Sequence, residues 1–166
     1  TGTVEPLFVT ADMQRGQDEE PFARDLYAEH TGQTVGETGF MVRTFVGLRL
    51  GYSPDGLVGD DGLIEIKSRR HKKHLRTILT DAVPPENYAQ LQCGLLVSGR
   101  AWIDYVSFSA GMPLYIKRVT PDERWQEAIV EALEAYETYA EQALGLYQHT
   151  TEGMPPCPII ETDIVI

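Results

Sequence analysis

Asp55, Glu65 and Lys67 form the pattern with the clearest chemical potential in this 166-residue chain. Glu65 and Lys67 are two residues apart in a segment that reads as a β-strand, and alternate side chains of a strand share one face. The segment Gly59-Asp60-Asp61-Gly62 is a strong hairpin turn signal between Asp55 and the strand. We therefore expect Asp55 to lie nearly opposite Glu65, close enough for both carboxylates to bind one cation.

Oxygen ligands of this kind suit Mg²⁺ or Mn²⁺ rather than zinc. Such an ion stabilises the charge on a transferring phosphoryl group and lowers the pKa of a bound water. Lys67 could orient or deprotonate the attacking water, or stabilise negative charge on the phosphate. Glu20, on the first predicted helix, could join the two carboxylates. The pattern thus favours metal-assisted hydrolysis of a phosphodiester.

Each part of this pattern is common when taken alone. Ser53-Pro54-Asp55-Gly56 is typical of an ordinary type I turn. A Glu-x-Lys segment on a strand is usually a solvated face, and an acid near the start of a helix is favoured by the helix dipole. It is the occurrence of all the parts in this order that indicates a catalytic site.

Positive charge is concentrated in one segment of an acidic chain. The net charge is −11, which alone argues against binding to nucleic acid. Six of the 14 Lys and Arg residues, however, lie between Lys67 and Arg76. A solvated basic loop is the alternative interpretation. If the chain grips DNA, the predicted contacts are Arg15, Arg24, Arg69, Arg70, Lys72, Lys73 and Arg76.

The composition excludes several other classes of protein. The two cysteines, Cys93 and Cys157, are too few for a disulfide framework or for a four-cysteine zinc or iron–sulfur site. Their scarcity favours a reducing, intracellular environment. We see no signal peptide and no apolar run near the ~20 residues that a membrane span needs.

The chain reads as one domain over residues 1–147, followed by a tail over 148–166 that contains three prolines. The order of elements predicts an α/β fold in which helices flank a central mixed sheet. Helices are predicted over 17–31 and 86–98 and for about 25 residues after the capping box Thr120-Pro121-Asp122-Glu123. That last helix keeps an apolar face. Strands are predicted over 39–50 (with a turn near Gly47), 57–58, 63–68, 101–109 and 112–119, with a loop or short helix over 69–76.

Four motifs, in this order, carry a resemblance to a known family. They are Arg15-Gly16 with Glu20-Pro21 and Ala23-Arg24, then Gly51 with Ser53-Pro54-Asp55-Gly56-Leu57-Val58, then Gly62-Leu63-Ile64-Glu65-Ile66-Lys67-Ser68, and then Tyr88-Ala89-Gln90-Leu91-Gln92. From about residue 13 to 147 the chain resembles the YqaJ-type viral recombinases, the phage lambda exonuclease or alkaline exonuclease group of the PD-(D/E)XK nuclease superfamily.

The resemblance implies a fold, an activity and partners. The fold is that of the PD-(D/E)XK nucleases. The activity is Mg²⁺-dependent (or Mn²⁺-dependent) 5′-to-3′ digestion of one strand of linear duplex DNA, which leaves 3′ single-stranded overhangs for recombination by single-strand annealing. The partners are duplex DNA ends, a single-strand annealing protein and further copies of the chain in a homotrimeric ring. The setting is the cytoplasm of a bacterial host, with the protein encoded by a phage or prophage.

The resemblance also assigns roles to individual residues. Asp55 and Glu65 bind the metal with the backbone carbonyl of Ile66, Lys67 is the catalytic lysine, and Glu20 orders a second metal or its waters. Gln90 is the active-site glutamine of the helix motif. Two departures stand out. The segment from Thr1 to Thr10 does not resemble the family's upstream segment, which helps to bind the 5′-phosphate, and Arg69 stands where relatives often have proline.

Three other functions remain open at this point. A PD-(D/E)XK endonuclease of repair or restriction type uses the same carboxylates and lysine, although Glu20 and Gln90 favour the exonuclease. A non-catalytic DNA-binding module would keep the fold, but Asp55 and Lys67 are both present. A paired-carboxylate hydrolase of sugars is disfavoured by Lys67 and by the basic segment.

Overall fold

The computed structural model describes residues 9–45 and 47–158. Over these residues the helices are α1 (Ala11–Thr31), α2 (His71–Thr80), α3 (Pro85–Ser98) and α4 (Glu123–Thr150). The strands are β1 (Val35–Gly36), β2 (Met41–Phe45), β3 (Leu48–Tyr52), β4 (Gly56–Val58), β5 (Gly62–Ser68), β6 (Trp102–Phe108) and β7 (Tyr115–Val119). No helix of the described ranges is long and apolar enough to cross a membrane.

The central sheet is mixed and has five strands in the order β1-β4-β5-β6-β7. Strands β5 and β6 are parallel, and the other neighbours are antiparallel. A parallel pair needs a crossover connection, and α2 with α3 forms the connection between β5 and β6. Strands β2 and β3 pair separately as a hairpin. The predicted α/β architecture, with a mixed sheet flanked by helices, is confirmed.

The two faces of β5 contact different helices. Ile64 and Ile66 pack with Ala23 and Tyr27 of α1, while Leu63 packs in a second cluster with residues of α3. Because side chains alternate along a strand, Glu65 and Lys67 share the face of Leu63. The short β4–β5 hairpin therefore presents its acidic residues between the sheet and α3.

Several predicted boundaries are wrong, each for a local reason. Helix α1 begins at Ala11 rather than at residue 17, because Thr10 caps it by accepting a hydrogen bond from the backbone N–H of Met13. Its first turns are mostly exposed and so show no apolar period. The basic segment continues as a regular helix to Thr80, beyond the predicted loop or short helix.

The start and end of α4 also differ from the prediction. Asp122, not Thr120, caps the helix, since its carboxylate accepts hydrogen bonds from the N–H groups of Arg124 and Trp125. The helix continues to Thr150, so the predicted tail over 148–166 begins only at residue 151. Residues 159–166 of that tail lie outside the described ranges. The apolar face of α4 is not buried: none of its residues falls in the buried class.

Candidate active site

The β4–β5 hairpin brings Asp55 beside Glu65. Gly56 pairs with Ile64 across the hairpin, so Asp55 lies one residue further along, next to Glu65. One carboxylate oxygen of Asp55, Oδ2, accepts a hydrogen bond of 2.6 Å from the backbone N–H of Ile66. This bond fixes Asp55 against the strand that carries Glu65, in the arrangement that the turn signal predicts.

Glu65 is almost fully buried, with 1% of its surface exposed, and its carboxylate accepts hydrogen bonds from three side chains. Lys67 Nζ and Gln90 Nε2 each lie 2.6 Å from Oε1. Tyr52 Oη lies 2.5 Å from Oε2. Burial removes water from the carboxylate, and a buried charge without hydrogen-bond partners is costly in free energy. These three donors take the place of that water. Strand β5 and helix α3 thus place Glu65, Lys67 and Gln90 in one cluster.

For Asp55, the effects that disfavour the charged carboxylate outweigh those that favour it. Burial is the main cause that raises its pKa, to about 7, and the negative charge of Glu65 raises it further. The hydrogen bond from Ile66 N–H and the charge of Lys67 lower the pKa, but they do not compensate. The repulsion between these two neighbouring, poorly solvated carboxylates is therefore only partly compensated by nearby positive charge.

Glu20 is held away from the two carboxylates by Arg24. The Arg24 guanidinium is hydrogen-bonded to the Glu20 carboxylate and also donates to the backbone carbonyl of Asp55 at 3.0 Å and to Glu37 at 3.0 Å. Glu20 is still near enough for its charge to raise the pKa of Asp55. Arg24, a predicted DNA contact, lies at this end of the site and is engaged with acceptors of the protein itself.

The donor set fits a hard divalent cation. Within the described ranges no three His, Cys, Asp or Glu side chains already converge on one point as metal ligands, because Glu20 is paired with Arg24 and Glu65 with its three donors. Asp55 and Glu65 nevertheless offer adjacent carboxylate oxygens, the ligands that Mg²⁺ and Mn²⁺ prefer. The raised pKa of Asp55 reflects a repulsion that a cation between the two groups would relieve.

Most of the predicted DNA contacts gather beside this site. A cleft of about 450 Å³ between α1 and the start of α2 includes Arg15, Arg69, Arg70 and Lys72 in its lining. Lys73 lines an adjoining cleft of about 340 Å³. Both clefts lie next to Ser68, directly after Lys67 in β5. Arg76, further along α2, is exposed and lines neither cleft.

Several of these cations are paired with acids of the chain. Arg70 donates two hydrogen bonds to Asp12, which Arg15 also contacts. Lys73 Nζ lies 2.7 Å from Glu86. Apart from the Arg15 bond to Asp12 (2.6 Å), the Arg15 side chain donates to Ser68 Oγ at 3.0 Å. Surface pairs of this kind contribute little to stability.

Comparison with known proteins places the chain in a family. The model of the YqaJ-like viral recombinase domain matches residues 1–101. The chain belongs to this family. No curated protein sequence matches it. Among solved structures, that of LHK-Exo in complex with dAMP is 34% identical and superposes with a TM-score of 0.81, covering 90% of this chain and 78% of that one.

Two further solved structures resemble this YqaJ-like chain. An alkaline exonuclease (LHK-Exo) from Laribacter hongkongensis is 36% identical, with a TM-score of 0.67 over 84% of this chain and 77% of that one. A phage related exonuclease from Haemophilus somnus, at 15% identity and a TM-score of 0.63, covers 87% of this chain and 77% of its own and supports the fold alone. The predicted family, the fold and the enzyme class, an exonuclease, are confirmed.

Sequence reasoning missed Tyr52 as a member of the YqaJ-like site. Its residue type offers no strong signal, because an aromatic residue at the end of a strand usually packs in a core. The turn-forming segment that follows it, Ser53-Pro54-Asp55, drew attention to the aspartate alone. Only the packing of β3 against α3 brings the hydroxyl of Tyr52 to Glu65.

We predict that Asp55→Asn stabilises the metal-free protein at alkaline pH. The folded chain keeps the Asp55 proton up to about pH 7, whereas an ordinary Asp releases it near 3.8. The stability from this raised pKa is complete below the unfolded pKa and is lost as the pH rises through the folded one. In EDTA at pH 8, urea unfolding should show Asp55→Asn more stable than wild type by roughly 1–3 kcal/mol.

The difference should shrink as the pH is lowered toward about 4, where the wild-type carboxyl is neutral in both states. Asp60→Asn, an exposed position of the same hairpin, is the matched control and should change the free energy of unfolding by less than about 0.5 kcal/mol. A variant no more stable than wild type at pH 8, or a difference independent of pH, would contradict the charge repulsion described for Asp55.

Proposed function

We propose that this chain is a metal-dependent 5′-to-3′ exodeoxyribonuclease that digests one strand of linear duplex DNA. The product, a duplex with 3′ single-stranded overhangs, serves recombination by single-strand annealing. The observation that carries the proposal is the cluster in which Lys67 and Gln90 meet one oxygen of buried Glu65 beside Asp55.

The proposed cofactor is Mg²⁺, with Mn²⁺ as the alternative. Asp55, Glu65 and the carbonyl of Ile66 would hold it, and Glu20 would join directly or through water after separating from Arg24. When bound, the ion supplies a Lewis acid for the scissile phosphate and acidifies a water. The Lys67 side chain is 23% exposed, so it would be accessible to orient the attacking water or take its proton. Gln90 positions Glu65 and the substrate.

The basic clefts support a role in holding the phosphates of the duplex. Within the described ranges, Arg69 Nε is buried and has no hydrogen-bond partner, while its Nη2 donates to Asn87 at 2.6 Å. The Asn87 contact fixes the guanidinium of Arg69 in the lining of the first cleft. The acidic remainder of the chain, with its net charge of −11, would keep DNA to this one surface.

The relatives support an exonuclease rather than an endonuclease. LHK-Exo, at 34–36% identity, is an alkaline exonuclease, and one of its structures holds dAMP. A deoxynucleoside monophosphate is what stepwise digestion of DNA would release. By analogy we propose mononucleotides as the product of this chain.

Helix α4 supports assembly with other copies. Its surface combines large exposed apolar side chains with a strongly acidic character, since six glutamates lie along it. The most exposed apolar residues are Tyr136, Tyr139, Leu144, Leu146 and Tyr147. Apolar patches of this kind mark contact surfaces. We propose that they contribute to a homotrimeric ring around DNA.

The family's description as viral recombinases supports the remaining proposals. We propose that the protein is encoded by a phage or prophage and acts in the cytoplasm of the bacterial host. A single-strand annealing protein would take over the overhang as it forms. No residue of the described ranges is assigned to that contact.

We predict that Lys67→Ala abolishes cleavage while leaving the fold intact. The wild type, on linear duplex DNA labelled at either end of one strand, should release mononucleotides from the 5′ end with Mg²⁺ and none with EDTA. Loss of the lysine should slow this reaction by at least about 10²-fold, the typical contribution of a positioned acid or base.

The matched control is Lys117→Ala, which should retain full activity. Lys117 lies on the edge strand β7, and its partly exposed side chain pairs with Asp81. Cutting of closed circular duplex would indicate an endonuclease instead. Metal-independent DNA binding with no cleavage by the wild type would indicate a non-catalytic module and would overturn the proposal.

We predict that Lys72→Glu combined with Arg76→Glu weakens duplex binding and its dependence on salt. Each lost phosphate contact reduces the slope of log affinity against log salt concentration by about 0.9, so the double variant should lose a slope of about 1–2. Fluorescence anisotropy with labelled duplex, in Ca²⁺ to prevent cleavage, measures both quantities. An unchanged slope would show that DNA does not follow α2.

A further inference from the structure

Tyr52 occupies a place in the site that the proposed reaction does not explain. It ends β3, in a hairpin outside the central sheet, and only 5% of its surface is exposed. Its hydroxyl donates to Glu65 Oε2, whereas Lys67 and Gln90 both donate to Oε1. Each oxygen of Glu65 therefore has its own side-chain donors.

Gly94 makes room for the Tyr52 ring. A Cβ atom at Gly94 would lie 2.6 Å from Tyr52 Cζ and 3.0 Å from Oη, closer than real contacts allow. Gly94 follows Gln90 by four residues on α3, so both positions lie on one face of the helix. A single helix face thus provides the Gln90 amide for one oxygen of Glu65 and the slot through which Tyr52 reaches the other.

We propose that Tyr52 is a positioning residue that fixes the Glu65 carboxylate for metal binding, and that Gly94 provides the slot for it. The inference rests on the proposed metal-dependent function. The terminal torsion of a glutamate is broad, and a donor on each oxygen removes that freedom. With Oε2 held by Tyr52, Oε1 stays with its partners Lys67 and Gln90.

The hydrogen bond also supports the charge on Glu65. A buried carboxylate oxygen without a donor is costly, and the Tyr52 hydroxyl is the only side-chain donor to Oε2 among the described residues.

The chain contains a matched control for a Tyr→Phe substitution at this position. Tyr27 is fully buried, and its hydroxyl donates at 2.8 Å to the buried carboxylate of Asp104, which also pairs with Arg118. Tyr27→Phe therefore removes the same kind of bond from a different carboxylate, in the α1–β6 packing. Any general effect of losing a buried hydroxyl appears in both variants.

The experiment measures Mn²⁺ binding by calorimetry and by the electron paramagnetic resonance signal of free Mn²⁺, for wild type, Tyr52→Phe and Tyr27→Phe. Loss of a group that holds a metal ligand typically weakens metal binding by about 10- to 100-fold. We expect this loss for Tyr52→Phe, with cleavage restored by high Mn²⁺ concentration. Tyr27→Phe should bind Mn²⁺ as wild type does.

Gly94→Ala should show the same defect as Tyr52→Phe, and the double variant should add little, because both changes release the same oxygen. If Gly94→Ala does not fold, the two Tyr→Phe variants still decide. Mn²⁺ binding by Tyr52→Phe equal to wild type, or equal loss in both Tyr→Phe variants, would overturn the role of Tyr52 alone. A wild type that binds no Mn²⁺ would overturn the proposed function and this inference with it.

Discussion

The structure depends on keeping a charged carboxylate, that of Glu65, inside a strand buried on both faces. Strand β5 is the central strand of the five-stranded sheet, between β4 and β6, and α1 and α3 cover its two faces. The carboxylate therefore relies on side-chain donors instead of water. Lys67, Gln90 and Tyr52 come from three different elements, so the charge couples β5, α3 and β3.

The same constraint explains why the site suits a cation. Asp55 adds a second carboxylate, and neither Ile66 N–H nor Lys67 offsets its burial and the charge of Glu65. The positive charge of Arg24 lies near Asp55, because its guanidinium donates to the Asp55 backbone carbonyl and to the Glu20 carboxylate. The region thus combines a fixed glutamate, an aspartate whose pKa is raised to about 7, and a glutamate that is paired with an arginine.

Charge is also organised on a larger scale. Residues that follow Lys67 line the basic clefts between α1 and α2, so a phosphate held there would lie close to the proposed catalytic cluster. Asp12 and Glu86 pair with several of the cations in the absence of DNA. These exposed pairs contribute little to stability, which makes the exchange of a carboxylate for a phosphate inexpensive in free energy.

Sequence reasoning succeeded where the physics is local. The Gly59–Gly62 turn and the period of the strand place Asp55, Glu65 and Lys67 together without knowledge of the remaining fold. It failed where long-range packing decides. The Tyr52 contact with Glu65 depends on a glycine slot in α3 that lies 42 positions later in the chain.

Exposure is a second property that periodicity does not reveal. The apolar face of α4 is plain in the sequence and predicts burial, yet none of its residues is buried in the single chain. The period shows that a face is apolar but not what covers it. Likewise, the first turns of α1 are capped by Thr10 but show no apolar period, so the sequence pattern does not predict them.

The most direct test of the central claim is anomalous diffraction from crystals of the protein grown with Mn²⁺. The account predicts one strong anomalous peak within about 2.0–2.3 Å of carboxylate oxygens of Asp55 and Glu65 and of the Ile66 carbonyl. Glu20 should then be turned from Arg24 toward the ion. A peak elsewhere, or none at saturating Mn²⁺ while Asp55 and Glu65 keep their present contacts, would contradict it.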